Sequence, residues 1–272
     1  PVVKEVLGPD AESVALAWRF PGLASKDFEV LQVVSQVLYN GKAGLIDLDL
    51  NQQQKVLNSY GYPMGLADYS AFILGGLPKQ GQTLEEVKDL LLNEIKKLRA
   101  GEFDEKMLQA NINNFKLYEL QSMESNEGRA DIFVNSFING TNWKDEVTAI
   151  DRMAKLTKED IVAFADKYLK EDNYAVVYKK QGKDPNEKKM TKPEITPIVS
   201  NRDVASPFLT SIQENAVRPI EPVFLDFKKD MSQLTAKSDI PVLYKQNTTN
   251  DLFQLIYVFD MGNNNDKALG TA

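Results

Sequence analysis

The sequence contains no cysteine and no histidine. Their absence removes disulfides, thiolate nucleophiles, Cys/His zinc clusters and Ser-His-Asp triads from what these residues can assemble alone. Carboxylates, lysines, tyrosines, serines and threonines remain for chemistry. The lack of cysteine fits either redox compartment, since an oxidising one permits disulfides without demanding them. Long apolar runs are missing too: nothing approaches the roughly 20 residues that span a bilayer, and no basic-then-apolar signal segment opens the chain. An excess of positive charge is also lacking. At a formal net charge of −7, the chain has no general cationic surface with which to displace counterions from nucleic acid or an anionic membrane, so no nucleic-acid partner is expected.

What is present is a globular composition, with 43% hydrophobic and 26% charged residues over 272 positions. At roughly 100–200 residues per domain, that length suits one large domain or two smaller ones. The first residue is Pro1 rather than methionine, which is the expectation for a processed or excised piece of a longer polypeptide.

Val14, Leu16, Trp18 and Phe20 alternate with other residues, the period-2 pattern of a half-buried strand, which Pro21-Gly22 ends. Ser25 is placed to cap a helix carrying Val30, Leu31, Val34, Val37 and Leu38 on one face, stopped at Asn40-Gly41. A second short helix is expected after Gly44. Residues 55–63 and 68–77, rich in Tyr, Gly and apolar residues, read as paired strands, with Gly61, Gly65 and Ala67-Asp68 as turn candidates. Thr83-x-x-Glu86 is a capping box before the stripe Leu84, Val87, Leu91, Ile95 and Leu98, and Gly101 closes that helix.

More helices follow without an intervening strand. Asp104 is placed to cap one bearing Leu108, Ile112 and Phe115, and Ser125 one whose Ala130, Phe133, Val134 and Phe137 form an apolar stripe ending at Asn139-Gly140. Trp143, Val147, Ile150 and Ala154 mark the next, and the capping box Thr157-x-x-Asp160 opens the last, with Ile161, Phe164, Ala165 and Tyr168. Tyr174, Val176 and Tyr178 then return the chain to the sheet as a strand. Strands and helices are segregated, so the expected class is α+β rather than a doubly wound parallel sheet.

Prolines and charged clusters dominate from Gln181 to Pro222, where only residues 208–216 suggest a short helix; this stretch reads as an extended linker. Beyond it, residues 240–245 and 252–259 are strand candidates around the turn-prone Asn247-Thr-Thr-Asn250. A two-stranded unit is marginal in water, so these strands need a further partner.

The motifs that carry chemistry elsewhere are weak here. Asp47-x-Asp49-x-Asn51 opens like a calcium loop, but Gln52 stands at the glycine position and Asn58 at the bidentate glutamate position. It reads instead as a solvated helical face with Leu48 and Leu50 inward. Gly41-Lys42-Ala43 lacks the serine or threonine and the upstream glycine of a phosphate loop. Asn139-Gly-Thr141 and Asn247-Thr-Thr249 match the glycosylation pattern but fall where turns are expected. Glu85-Glu86 and Glu159-Asp160 complement helix N-termini, and the lysines between 179 and 192 are interrupted by Asp184 and Glu187 as in a solvated linker.

The words Val14-Ala-Leu-Ala-Trp-Arg-Phe-Pro21, Asp27-Phe-Glu-Val-Leu-Gln-Val-Val-Ser-Gln-Val-Leu38 and Gly44-Leu-Ile, the tyrosine-rich hairpin, Leu77-Pro78 and the capped helix ending at Gly101 together resemble the second domain of the insulinase/pitrilysin zinc metallopeptidases. That resemblance implies an antiparallel-rich α+β sheet with helices layered on one side, as in the LuxS/mitochondrial-processing-peptidase-like metallohydrolase fold. It also implies four related domains in two halves, closing around a chamber for unfolded peptide. Residues 1–180 would be a non-catalytic domain, 181–222 the linker between halves, and 223–272 the opening strands of an incomplete following domain; the strand 252–260 with Met261-Gly262 is similar to the one preceding the motif helix in odd-numbered domains.

The family's zinc is held by an H-x-x-E-H helix and a downstream glutamate. Without histidine here, the resemblance places zinc in the parent protein and outside this chain, and no catalytic, cofactor-binding or metal residue is assigned to it. The family also holds substrate with an Arg and a Tyr in its fourth domain; the equivalent stretch, about Leu48 to Tyr62, offers Asn51, Tyr60 and Tyr62 but no Arg. The implied role is a chamber wall and hinge-like connection, inactive alone, with the parent's other domains and peptide substrate as partners and, from family resemblance only, a cell-envelope or periplasmic location. Two alternatives are an inactive assembly subunit of the same fold, organising partner proteins, and an unrelated α+β binding module with a disordered tail.

Overall fold

A computed structural model describes residues 1–184, 191–198, 200–260 and 262, and the chain divides into two units, Pro1–Met190 and Thr191–Ala272. Each is described by itself.

The first unit is built on strand β2, Ser13–Pro21, whose alternate residues Val14, Leu16, Trp18 and Phe20 are all buried. It lies inside a five-stranded sheet of order β1-β5-β2-β4-β3, with β1 Val2–Gly8, β3 Asn58–Met64, β4 Tyr69–Leu77 and β5 Ala175–Gln181. All pairings are antiparallel except β1 with β5. The inward face of the sheet is covered by α1 (Lys26–Leu38), α2 (Leu84–Arg99) and α7 (Lys158–Tyr168). Their stripes, including Leu31 and Val34, Leu91 and Ile95, and Ile161, meet Trp18, Phe72 and Leu74 in one core. Burying each such side chain stabilises by about 1.5–3 kcal/mol. Trp18 also finds a partner for its Nε1–H, the Lys170 carbonyl at 3.0 Å.

Most start signals hold, but the helix expected from Asp104 has Glu105 at its cap position without a side-chain cap bond, and Asp104 Oδ1 accepts from the Lys106 N–H at 2.9 Å. Ser25 caps α1, and Thr83 with Glu86 and Thr157 with Asp160 close reciprocal capping boxes on α2 and α7. The α+β class with helices layered on one side of an antiparallel-rich sheet is borne out.

Other expectations are corrected. β1 was not anticipated: its apolar residues come as Val2-Val3 and Val6-Leu7 instead of alternating, because an edge strand paired on one side only has no buried face to enforce the pattern. Gly61 is not a turn residue but lies within β3, paired with Leu74. The helix expected around Trp143 to Ala154 is two short ones, α5 (Trp143–Glu146) and α6 (Ala149–Met153). They part at Thr148, whose hydroxyl donates back to the Lys144 carbonyl at 2.7 Å. α3 (Lys106–Ser122) and α4 (Asn126–Asn139) form where expected, but the α4 stripe faces outward. That helix is held by its ends, through the Arg129 Nε–H to the Met123 carbonyl at 2.7 Å and Ser136 Oγ–H to the Thr141 carbonyl at 3.1 Å, while its apolar face meets no layer.

In the second unit, Ser206 caps α8, Pro207–Gln213. Residues Pro241–Tyr244 form β7 as expected, but pair with the unanticipated polar strand β6, Ser232–Thr235. Residues 252–259 form no strand here, because no described neighbour supplies a ladder, and Phe253, Tyr257 and Val258 stay exposed. Met261, Pro185 and the charged cluster 186–189 lie outside the described residues.

Candidate functional site

The stretch from Leu48 to Tyr62 begins on a π-helical turn, Asp47–Asn51, where Gln52 N–H bonds the Asp47 carbonyl at 2.8 Å. Widening the turn rotates its side chains relative to an α-helix. Leu50 is buried as expected, whereas Leu48 is exposed and Asp47 is buried in its place, which corrects the expected face. Asp47 Oδ2 accepts from the backbone N–H of Asn40 (2.9 Å) and of Gly44 (3.0 Å). Asp49 Oδ2 accepts from Lys97 Nζ at 2.5 Å, and Asn51 turns to Ser59. The calcium-loop oxygens thus point to separate partners. Gly41-Lys42-Ala43 is similarly committed, since Asn40 Oδ1 accepts from the N–H groups of Lys42 and Ala43.

Lys97 also bonds Glu94 Oε1 at 2.9 Å, with Glu94 only 1% exposed. Burial pushes the Glu94 carboxyl above the usual range even against the Lys97 ammonium, whereas the Lys97 hydrogen bond holds Asp49 below it. This knot anchors the π turn to α2.

Asn51 in turn fixes β3, and β3 presents Tyr60 and Tyr62 on the sheet face opposite the helices. Register lines up Val177, Ala15, Gly75 and Tyr60 in one row across the strands, and Ala175, Ala17, Ile73 and Tyr62 in the next. The middle of this open face carries Ala15, Ala17 and Ile73, with Gly75 buried beneath a ring. Tyr60 folds over Gly75: a Cβ built there would stand 2.2 Å from Tyr60 Cζ. Tyr60 stacks on Tyr62 at 6.1 Å between centroids, and the Arg19 guanidinium sits 4.7 Å from the Tyr69 ring. The result is an open face of small and apolar side chains bordered by aromatic rings. Gly75-Gly76 within a strand pattern is the sequence signal of such close approach; the Arg19–Tyr69 pair has no comparable signal.

Around the rings this face supplies phenol hydroxyls and the Arg19 guanidinium. The chain's donor set does not fit a zinc of nitrogen or sulfur type, because imidazole and thiolate are both missing from the sequence. Among the described residues, no group of three carboxylates converges on a point where a metal ion could sit. No described helix is long and apolar enough to cross a membrane. Lys179 and Lys180 pair with Asp10 and Glu5, and Asn247 lies in a turn, its Oδ1 accepting from Thr249 N–H at 2.9 Å.

The chain is similar to several known proteins. Residues 1–115 match the family model described as Peptidase M16 inactive domain. The zinc protease PqqE of Helicobacter pylori is 27% identical over 178 residues, 64% of this chain and 39% of that protein. The crystal structure of a protease from Helicobacter pylori superposes with a TM-score of 0.62 at 22% identity, covering 65% of this chain and 43% of that one. A crystal structure of the inactive peptidase domain of a zinc-protease-type protein from Bordetella parapertussis gives a TM-score of 0.56 at 17% identity, covering 63% of this chain and 93% of that one. The chain therefore spans about two fifths of the length of the curated relative it matches. The likenesses in structure establish a shared fold, and over residues 1–115 the chain is similar to the domain described as Peptidase M16 inactive domain.

Proposed function

We propose that this chain is the non-catalytic, peptide-enclosing wall of a zinc-dependent M16 endopeptidase whose zinc-binding domain lies outside it. The observation that carries this role is the open sheet face, where the small side chains of Ala15 and Ala17 leave room for an extended polypeptide while Tyr60, Tyr62 and Tyr69 give it apolar cover. Such a surface holds peptide without strong preference for sequence, because rings and small residues make few directional demands. Residues 181–222 would connect the halves, the parent's other domains and its peptide substrate would be the partners, and a cell-envelope location follows from the family resemblance.

The test uses the full chain with a fluorescein-labelled unstructured peptide. Saturable binding without cleavage is expected, weakened by Tyr62→Ala and by Ile73→Glu, with no stoichiometric zinc in a titration. Binding of one zinc per chain, peptide hydrolysis by the purified chain, or indifference to both substitutions would overturn the assignment.

A further inference from the structure

The five-stranded sheet ends in two edges that differ. β3 contains Pro63, and Asn51 occupies the free side of Ser59. β1 has neither device over its seven residues, Val2–Gly8. The N–H and C=O groups of a strand point alternately to its two sides, and both ends of β1 fix the phase: Val2 donates its N–H to the Tyr174 carbonyl at 2.9 Å, and the Gly8 carbonyl accepts from the Gly182 N–H at 2.9 Å. Val2, Lys4, Val6 and Gly8 therefore face β5, while Val3, Glu5 and Leu7 turn their backbone groups to the free side. Among the described residues nothing hydrogen-bonds to those three groups there. Such a row is a template for another strand, so what covers it must be extended chain.

Side chains narrow the occupant further. Val2 and Val6 on one face of the strand, and Val3 and Leu7 on the other, are all exposed, so apolar or β-branched neighbours suit both faces. Of the central charges, Glu5 bonds Lys180 at 3.0 Å, and Lys179, on the same face as Lys4, bonds Asp10 at 3.1 Å. Lys4 has no carboxylate partner among the described residues, so its opposite position calls for an acid. A second copy of this chain is a poor occupant. The antiparallel register that engages Val3, Glu5 and Leu7 of both copies sets Glu5 directly opposite Glu5, and moving the centre to Lys4 sets Lys4 opposite Lys4, like-charge pairs that destabilise.

We propose that the free edge of β1 takes an extended segment of another polypeptide as a sixth strand, with an acidic residue opposite Lys4. Main-chain hydrogen bonds from Val3, Glu5 and Leu7 would supply the affinity, and the Lys4 pair with its apolar flanks would set the register. The edge is distinct from the open sheet face, so it stands whether or not that face encloses peptide.

The probe is a short capped peptide of alternating threonine and valine with a central glutamate; its control carries lysine there, and both are added to the full chain. The glutamate peptide should bind saturably and at least about threefold more tightly than the lysine peptide, and Lys4→Glu should reverse the order. Amide hydrogen exchange locates the contact: in the free chain the N–H groups of Val3, Glu5 and Leu7 should exchange quickly while β5 holds those of Lys4 and Val6, and the glutamate peptide should slow the first three. Glu5→Pro removes an outward N–H and leaves the ladder to β5 in place, so it should weaken binding at least about tenfold, whereas Glu5→Thr should not. Tyr62→Ala should leave this binding unchanged, which separates the edge from the open face. Circular dichroism checks the fold of each variant, and if Glu5→Pro does not fold, the exchange pattern of the unaltered chain decides. Equal binding or no binding of the two peptides, no slowing at Val3, Glu5 and Leu7 in the bound chain, or slowing there that rises with protein concentration alone, which would assign the edge to a second copy, would overturn the proposal.

Discussion

The Asn51 carboxamide holds Ser59 from both sides of its peptide: Oδ1 accepts from the Ser59 N–H at 2.8 Å and hydroxyl at 2.9 Å, while Nδ2 donates to the Ser59 carbonyl at 2.8 Å. β3 is an outer strand of the sheet, so these bonds replace the neighbour that Ser59 lacks on its free side. The expected consequence of Asn51→Ala is a loss of about 1–3 kcal/mol, because buried backbone groups lose their partners. Asn51→Asp should be no milder, since it keeps the acceptor but sets a carboxylate against the Ser59 carbonyl. Urea unfolding gives the magnitude and hydrogen exchange at the Ser59 amide gives the place; unchanged protection there in both variants would remove Asn51 from this role.

Lys97 is expected to matter through the charge it leaves behind. Lys97→Met strands Glu94 in the interior and releases Asp49, at a cost of about 2–4 kcal/mol near neutral pH. The sign of the pH dependence follows from Glu94, whose native carboxyl is held above the ordinary 4.5 by burial. Its folded form takes up a proton before the unfolded form does, so stability falls as pH rises from that value through the native one. Removing Lys97 enlarges this effect, and the wild type also loses its Asp49 contribution as pH falls. The deficit of Lys97→Met should therefore be largest at neutral pH and shrink on acidification. Adding Glu94→Gln to Lys97→Met should recover most of the loss, and denaturant titrations across pH read both effects; a deficit that grew in acid would contradict the assignment.

The caps at Ser25, Thr83 and Thr157 were legible because each is a local exchange of hydrogen bonds within a few residues. β2 was legible because its burial on one face writes a period of two into Val14, Leu16, Trp18 and Phe20. Where a segment's environment is set by distant chain, the pattern misleads: α4 has a core-like stripe that this unit does not cover, and residues 252–259 have a strand's composition without a ladder. At the site, sequence placed Tyr60 and Tyr62 in a strand. That Tyr60 lies over Gly75 depends on the register between β3 and β4, which no local signal fixed.

Gly75 and Gly76 are neighbours on β4 that face opposite sides of the sheet, and they separate packing from binding. A Cβ on Gly76 would meet Val87 Cγ1 at 2.4 Å and Leu91 Cδ1 at 3.4 Å, both on the packed helix α2. Val87 is β-branched and fully buried, so it has no free rotamer to yield, and Gly76→Ala should cost about 1–3 kcal/mol. A Cβ on Gly75 meets only the far end of Tyr60, which can swing away over the open face, and alanine suits a strand better than glycine by about 0.5–1 kcal/mol. Gly75→Ala should therefore change stability little, while displacing the Tyr60 ring from the open face and weakening the unstructured-peptide probe several-fold. Gly76→Ala should do the reverse: lower the denaturation midpoint and leave probe binding by the folded protein near its original strength. If Gly75→Ala bound the probe normally while Gly76→Ala did not, the peptide-facing side of the sheet would have to be the helix-covered one, and the open face would lose its proposed function.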